Sequence, residues 1–131
     1  MKEKKPLRVP VTEGLKNIYA MDMRMAYQAA VSGQFNEMAF GRLAAAISVV
    51  RTALEQRPNI SPEAKGVLDL AIAALMLVRM RGDSSDVWEI TESERPDVLH
   101  GIDIAEQCIG MLDVALLEQT AAQLLQTMTG N

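Results

Sequence analysis

Residues 98–116 have the sequence VLHGIDIAEQCIGMLDVAL, in which apolar residues recur in alternating steps of four and three. This spacing places the recurring residues along one side of a helix, and it is typical of helices that pack at a shallow angle in a bundle. We call this side the seam; it consists of Val98, Ile102, Ala105, Ile109, Leu112 and Leu116. The seam predicts a long last helix that continues to about Thr127.

The start of this last helix is indicated by Thr91 and Glu94, whose residue types and spacing match a capping box. Pro96 follows closely, so the helix could instead start at Pro96 or carry a kink there. Residues 83–90 break the helical pattern and are predicted to form the one substantial loop.

The only tryptophan of the chain, Trp88, lies in this loop. Ile90 immediately precedes Thr91, at the position from which an apolar residue commonly folds back onto the helix. Trp88 would then either close the end of the bundle or stand exposed as an anchor for a partner. The sequence leaves both interpretations open.

Three earlier helices are indicated by their start and stop signals. Asn36 and Ser61 are residue types that cap helix N-termini, and Pro62 suits a first helical position. Gly33 suits the left-handed conformation that often follows a last turn. The predicted helices are Glu13–Val31 after Thr12, a second from Glu37 to about Gln56 before Pro58, and a third from Pro62 to about Gly82.

Composition indicates the fold class. The chain has 131 residues and a mass of 14.3 kDa, a size that forms one domain with its own core. Only 4% of the residues are aromatic, which favours helices over strands. Because the first connections are short, neighbouring helices should run antiparallel. We predict an all-α fold, an antiparallel four-helix bundle over residues 12–131, preceded by a flexible, disordered basic arm over residues 1–11.

The charge is distributed unevenly, although the total is only −4. Residues 82–131 hold one basic and ten acidic residues, a net charge of −9, whereas residues 1–81 hold twelve basic and seven acidic residues, a net charge of +5. Such an asymmetry indicates either a charged partner or two parts of the chain that attract one another. In a bundle, the basic helices would pack against the acidic last helix.

Motifs for catalysis or cofactor binding are absent from the sequence. There is no glycine-rich phosphate loop, no cysteine pair for zinc and no Gly-x-Ser-x-Gly nucleophile elbow. His100, Asp103 and Glu106 are metal-ligand types three residues apart, but two such steps turn by about 120° around a helix, so they converge poorly on one ion. We predict a solvated acidic face instead of a metal site, no cofactor and no enzymatic activity.

The nine methionines suggest two roles. Met21, Met23 and Met25 resemble a copper-binding methionine cluster, but on a helix Met23 points nearly opposite Met21 and Met25. Packing is therefore the expected role of these three side chains. Methionine is also flexible, so its abundance could provide an adaptable binding surface.

A homodimer on the last helix is a further prediction. Gly101, Ala105 and Cys108 form a strip of small residues beside Ile109 and Leu112, where a second helix could approach closely. Cys108 is expected to be a buried thiol, since no basic residue nearby would make it a reactive thiolate. The alternative is that the seam and this strip are both used inside the monomer.

Nucleic-acid binding is the alternative class of function. Arg51, Arg57, Arg79 and Arg81 could form a phosphate-binding patch at one end of the bundle, together with the basic arm. The helix that starts at Pro62 carries few basic or amide side chains in its first turn, unlike the recognition helix of a helix-turn-helix protein. The net negative charge also makes nucleic acid the less favoured partner.

The sequence favours a cytoplasmic protein. No apolar run approaches the roughly 20 residues needed to cross a bilayer, and the basic start is not followed by the apolar segment of a secretory signal. The single cysteine cannot form an internal disulfide, which fits a reducing compartment.

Three features of the chain resemble a group of short bacterial proteins: the arm Lys4-Lys5-Pro6 with Val9-Pro10, the loop motif Trp88-x-x-Thr91-x-x-Glu94, and the long helix after it. These proteins are encoded in prophages and other mobile elements of proteobacteria. The resemblance implies an accessory protein of a mobile element that acts on something in the cytoplasm of its host, and it assigns no site residues. We therefore predict a non-enzymatic protein that binds another protein as a regulator or inhibitor; the alternative is a nucleic-acid-associated regulator.

Overall fold

The computed structural model describes residues 13–56, 62–112, 119, 120 and 122. These residues form helices and no strand, which confirms the all-α prediction. The helices are α1 (Glu13–Val31), α2 (Glu37–Leu54), α3 (Pro62–Ser85) and α4 (Arg95–Ile109), and residues 119, 120 and 122 are helical as well. The basic arm and the predicted caps Thr12 and Ser61 lie outside the described residues.

The first two helices begin and end close to where the sequence predicts. α1 has the predicted bounds, and Gly33 beyond it adopts the left-handed conformation with a φ of 78°. Asn36 caps α2, because its Oδ1 accepts a hydrogen bond from the Ala39 N–H at 2.8 Å. α2 ends at Leu54, slightly before the predicted end at Gln56.

The third helix continues beyond Gly82, where we predicted its end. Gly82 lies inside the helix, and a Cβ at this position would overlap the ring of Trp88. The Ser85 hydroxyl donates a hydrogen bond to the Arg81 carbonyl at 2.6 Å. The left-handed residue is instead Asp86, with a φ of 60°. Gly82 is therefore required for close packing and does not stop the helix.

The last helix is shorter than the seam predicts. α4 ends at Ile109, and residues 110–112 form a turn in which the Met111 N–H donates to the Cys108 carbonyl at 2.9 Å. Gly110 has a low helix propensity, whereas the apolar spacing continues across it, so the spacing alone does not reveal the break. The predicted continuous helix to Thr127 is therefore wrong.

The predicted capping box before α4 forms only in part. The Thr91 N–H donates to Glu94 Oε1 at 3.0 Å, but the Thr91 hydroxyl lies 3.1 Å from the Ser93 hydroxyl. The Glu94 N–H donates to the Thr91 carbonyl instead of the side chain. α4 accordingly begins at Arg95, with Pro96 in its first turn, where proline is tolerated.

The four helices pack as a bundle in which each contacts the next and α1 also contacts α4. α2 and α4 touch across the middle, whereas α1 and α3 share no contact within the described ranges. Between Val98 and Leu112 the seam is buried in the core, together with Met23, Leu43 and Ile47. Leu116 lies outside the described residues. α1 and α3 thus occupy opposite corners, and each has an outer side that none of the other three helices covers.

Arginine–carboxylate pairs connect the basic early helices to later ones. Arg24 on α1 contacts Asp103 at 2.5 Å and Glu106 at 2.8 Å, both on α4. Arg51 on α2 contacts Asp69 on α3 at 2.7 Å. Hydrogen bonds to Glu106 and Asp103 raise the pKa of Arg24. Part of the uneven charge is therefore neutralised between helices of the same chain.

Candidate protein-interaction site

An open groove of about 260 Å³ lies between α1 and α2. It lies between the second half of α1 and the beginning of α2, and the connecting turn contributes Gln34 and Asn36. Three small residues, Ala26, Ala29 and Ala39, line its apolar part and are buried or half-buried. The short connection holds the two helices side by side, and the alanines leave space between them.

Two flexible side chains border the groove. Met25 on α1 and Met38 on α2 are 64% and 67% exposed. Each can change rotamer at low cost, and the thioether adapts to apolar shapes. Met23, between Met21 and Met25 in sequence, is fully buried, which agrees with the prediction that it points opposite its two neighbours.

Exposed methionines also occur on the surface of the protein outside the groove. Six of the seven methionines in the described ranges are at least 61% exposed: Met21, Met25, Met38, Met76, Met80 and Met111. Methionine is an apolar residue that folded proteins often bury. A surface with many exposed methionines is typical of proteins that bind apolar segments of varied shape.

Two opposite charges also lie along the groove. Asp22 is on α1 and Arg42 is on α2, and within the described residues neither side chain has a hydrogen-bond or ion-pair partner. Because neither group has a partner in the described part of the chain, the carboxylate can pair with a positive charge on a ligand and the guanidinium with a negative one. The groove can therefore hold an apolar side chain and also select the charges on either side of it.

The small-residue strip predicted for a homodimer is buried inside the chain. All five residues of the strip and its neighbours are buried, and the four with side chains are at most 3% exposed: Gly101, Ala105, Cys108, Ile109 and Leu112. Gly101 packs against α3, where its Cβ would overlap the Cβ of Ala71. Burial raises the pKa of the Cys108 thiol. The homodimer remains a prediction, but this strip is already occupied by the chain's own core.

Trp88 packs at the end of the bundle and is half-buried. Its ring lies on Gly82, and its centroid is 5.3 Å from that of Phe40. Phe40 in turn makes an edge-to-face contact with Phe35, with centroids 6.4 Å apart. This geometry favours the packing role over the role of an exposed anchor.

Among the described residues of the predicted phosphate patch, Arg51 lies far from Arg79 and Arg81. Arg51 pairs with Glu55 and Asp69, and the hydrogen bond to Asp69 is the main cause of its raised pKa. Asp69 and Arg81 are separated by twelve residues of α3, or about 18 Å along the axis. Arg57 lies outside the described residues. Arg51 and Arg81 therefore belong to different regions of the bundle.

The two arginines near the end of α3 also have carboxylate partners. Arg79 lies 3.5 Å from Asp83, and both side chains are exposed. Arg81 binds Glu94 through two nitrogen–oxygen contacts of 2.5 and 2.8 Å. A phosphate would have to compete with these carboxylates for the guanidinium groups.

The three residues considered for a metal site do not share the same contacts. Asp103 and Glu106 bind Arg24, whereas His100 is exposed. Among the residues that the structure describes, no group of three or more His, Cys, Asp or Glu side chains is arranged to hold a metal ion.

Sequence reasoning did not single out the groove or its charged residues. The available signal was spacing, since Met25 and Ala29 on α1, and likewise Met38 and Arg42 on α2, are four residues apart. Residues with this spacing lie on one side of their helix. This spacing does not tell which sides of two helices face each other. The groove is a property of the α1–α2 pair.

Comparison with known proteins gave no match: none was found among protein-family models, curated proteins or solved structures. No helix in the described part of the chain is long and apolar enough to span a membrane.

Proposed function

We propose that this chain is a non-enzymatic protein-binding module that holds an apolar segment of a partner protein in the α1–α2 groove. The observation that carries the proposal is the exposure of Met25 and Met38 beside a groove lined by alanines. Exposing two large apolar side chains to water is unfavourable, and covering them with a partner removes that cost.

The groove supports recognition of an amphipathic helix. In this binding mode, apolar side chains spaced along one side of a partner helix enter a groove between two receptor helices. Asp22 favours a basic residue on the partner, and Arg42 favours an acidic one. The partner segment is therefore expected to combine apolar anchors with flanking charges of both signs.

The biological role proposed here is that of a regulator or inhibitor. A small domain that covers an apolar segment of another protein can block the contacts which that segment otherwise makes. The resemblance to proteins encoded in prophages and mobile elements supports a host protein in the cytoplasm as the target. The alternative, nucleic-acid regulation, has less support because Arg51 and Arg81 are already paired with carboxylates.

Affinity capture with surface variants tests the proposal. The tagged chain is compared with Met25→Glu/Met38→Glu and with Met111→Glu, a control at another exposed methionine. We expect the same partner with the wild type and the control, and a loss of at least about tenfold with the groove variant, since a charge opposes burial of the groove. Equal recovery with the groove variant, or no specific partner with any of them, would contradict the proposal.

A further inference from the structure

The outer side of α3 is apolar although it faces solvent. Leu70, Met76, Leu77 and Met80 are between 51% and 65% exposed. Leu70, Ala73, Leu77 and Met80 follow each other in steps of three and four, so they form one row along the helix. Other residues of α3, including Leu68, Leu75 and Val78, already provide its contact with the core. The outer apolar row therefore does not contribute to the packing of α3 against the core.

A charged row runs along the helix beside the apolar one. It consists of five residues whose spacing keeps them on the same side of α3, four of them charged: Lys65, Asp69, Met76, Arg79 and Asp83. The charges therefore have the order plus, minus, plus, minus, with the uncharged stretch in the middle. The side chains of Asp69, Arg79 and Asp83 are 58%, 67% and 59% exposed, and Lys65 is half-buried.

This order of charges is complementary to itself when a second helix runs in the opposite direction. Lys65 and Asp83 lie at equal distances from residue 74, and so do Asp69 and Arg79. Two antiparallel copies related by a twofold axis near residue 74 would therefore bring Lys65 close to Asp83 of the second copy. A parallel arrangement would place like charges together, which is unfavourable.

The apolar row has nearly the same centre. Leu70 and Met80, and likewise Ala73 and Leu77, lie at equal distances from residue 75. An antiparallel second copy thus brings Leu70 opposite Met80 and Ala73 opposite Leu77 while the charged rows match. A single antiparallel arrangement therefore matches both rows, because their centres, residues 74 and 75, differ by only one residue.

We infer that the chain forms a symmetric homodimer through the outer side of α3, which packs antiparallel against α3 of a second copy. The interface is isologous, as expected for a twofold dimer. Its apolar part consists of a few side chains on a single helix, and so small an interface is characteristic of a weak dimer that dissociates on dilution. The surface is separate from the α1–α2 groove, because α1 and α3 occupy opposite corners of the bundle.

The ion pairs inside one chain are compatible with this dimer. Arg79 and Asp83 are 3.5 Å apart and both exposed, so their mutual contact does not prevent contacts with a second copy. Asp69 binds Arg51 but also remains exposed on its side chain. Each carboxylate can accept more than one hydrogen bond.

The dimer is tested first by mass as a function of concentration. Light scattering of the full chain is expected to give twice the chain mass of 14.3 kDa at about 100 µM, falling toward 14.3 kDa on dilution. A mass of 14.3 kDa at every concentration would overturn the inference. That result is expected if this side of α3 stays exposed in solution.

Two charge variants then test the arrangement. Lys65→Glu places negative charges at both ends of the row, and Asp83→Lys places positive charges at both ends, so each variant alone should dimerise more weakly than the wild type. In an equimolar mixture the two variants complement each other, and we expect heterodimers to form with the affinity of the wild type restored. The control is circular dichroism, which is expected to show the helical content of the wild type in both variants.

The mixture identifies the interface because positions 65 and 83 cannot interact within one chain. They are separated by eighteen residues of helix, about 27 Å along the axis. Recovery on mixing therefore reports a contact between copies. If the wild type dimerises but neither variant changes the dimer, or if mixing does not restore it, the antiparallel α3 interface is wrong.

Discussion

Arg81 and Glu94 form a bidentate ion pair that fastens the end of α3 to the start of α4. The nitrogen–oxygen distances are 2.8 and 2.5 Å, and the Glu94 side chain is only 9% exposed. Glu94 also accepts the Thr91 N–H, and Arg81 donates to the Glu89 carbonyl at 3.1 Å. These contacts connect the loop over residues 86–94 to the end of α3.

Replacing Glu94 with glutamine is expected to reduce the free energy of unfolding by about 2 kcal/mol, because Arg81 loses its charged acceptor in a largely buried position. Urea denaturation measures the change. Glu92→Gln is the matched control, since Glu92 is exposed in the same loop, and it should change stability by less than about 0.5 kcal/mol. Similar losses of unfolding free energy in both variants would show that the Arg81–Glu94 ion pair does not stabilise the fold.

The same pair predicts the response to acid. The hydrogen bond from Arg81 is the main cause that lowers the pKa of Glu94 below the ordinary value of 4.5. A carboxylate with a lowered pKa in the folded state stabilises the protein above its unfolded pKa, and this stabilisation is lost as the pH falls through the folded pKa. The difference in unfolding free energy between the wild type and Glu94→Gln should therefore shrink as the pH falls below about 4.5. A difference that is independent of pH would contradict the assignment.

Gly82→Ala is expected to destabilise the protein by about 2 kcal/mol, because the added Cβ overlaps the Trp88 ring. Thermal denaturation gives the size of the effect, and a red shift of Trp88 fluorescence would show that the ring has moved into water. Gly66→Ala is the control, since Gly66 is also inside α3 but has no atom near its would-be Cβ. The control should gain about 0.5–1 kcal/mol from helix propensity. Equal effects at both positions would argue against the Trp88 contact.

Gly101→Ala tests the close approach of α3 and α4. The added methyl group meets the Cβ of Ala71, so we expect a loss of about 1–3 kcal/mol. Removing that Cβ with Ala71→Gly in the same chain should restore part of the loss, which a double-mutant cycle measures. If the two substitutions have simply additive effects, the residues are not in contact.

Helix positions were predictable where the signal is local. The bounds of α1, the Asn36 cap and the opposite orientation of Met23 follow from residue types and helical spacing, and the structure confirms each of them. Local signals failed at two glycines. Gly82 was expected to end α3 but instead accommodates Trp88, and Gly110 lies in a turn that the continuous apolar spacing conceals.

The candidate site was less predictable because it depends on which helices meet. The strip around Gly101 has the small residues of a helix interface, but only the fold shows that α3 of the same chain occupies it. Arg51 and Arg81 look available for phosphate in the sequence, whereas Asp69 and Glu94 approach them from other elements. The groove likewise requires the pairing of α1 with α2.

Binding of a partner protein in the α1–α2 groove is tested by site-specific photo-crosslinking in living cells that produce the chain. The photoreactive residue benzoylphenylalanine replaces Met25, Met38 or Met111 in turn, all of which are exposed. If the partner lies in the groove, positions 25 and 38 give a crosslinked adduct of the same mass and position 111 gives none. An adduct from position 111 without any from positions 25 and 38 would contradict binding in the groove.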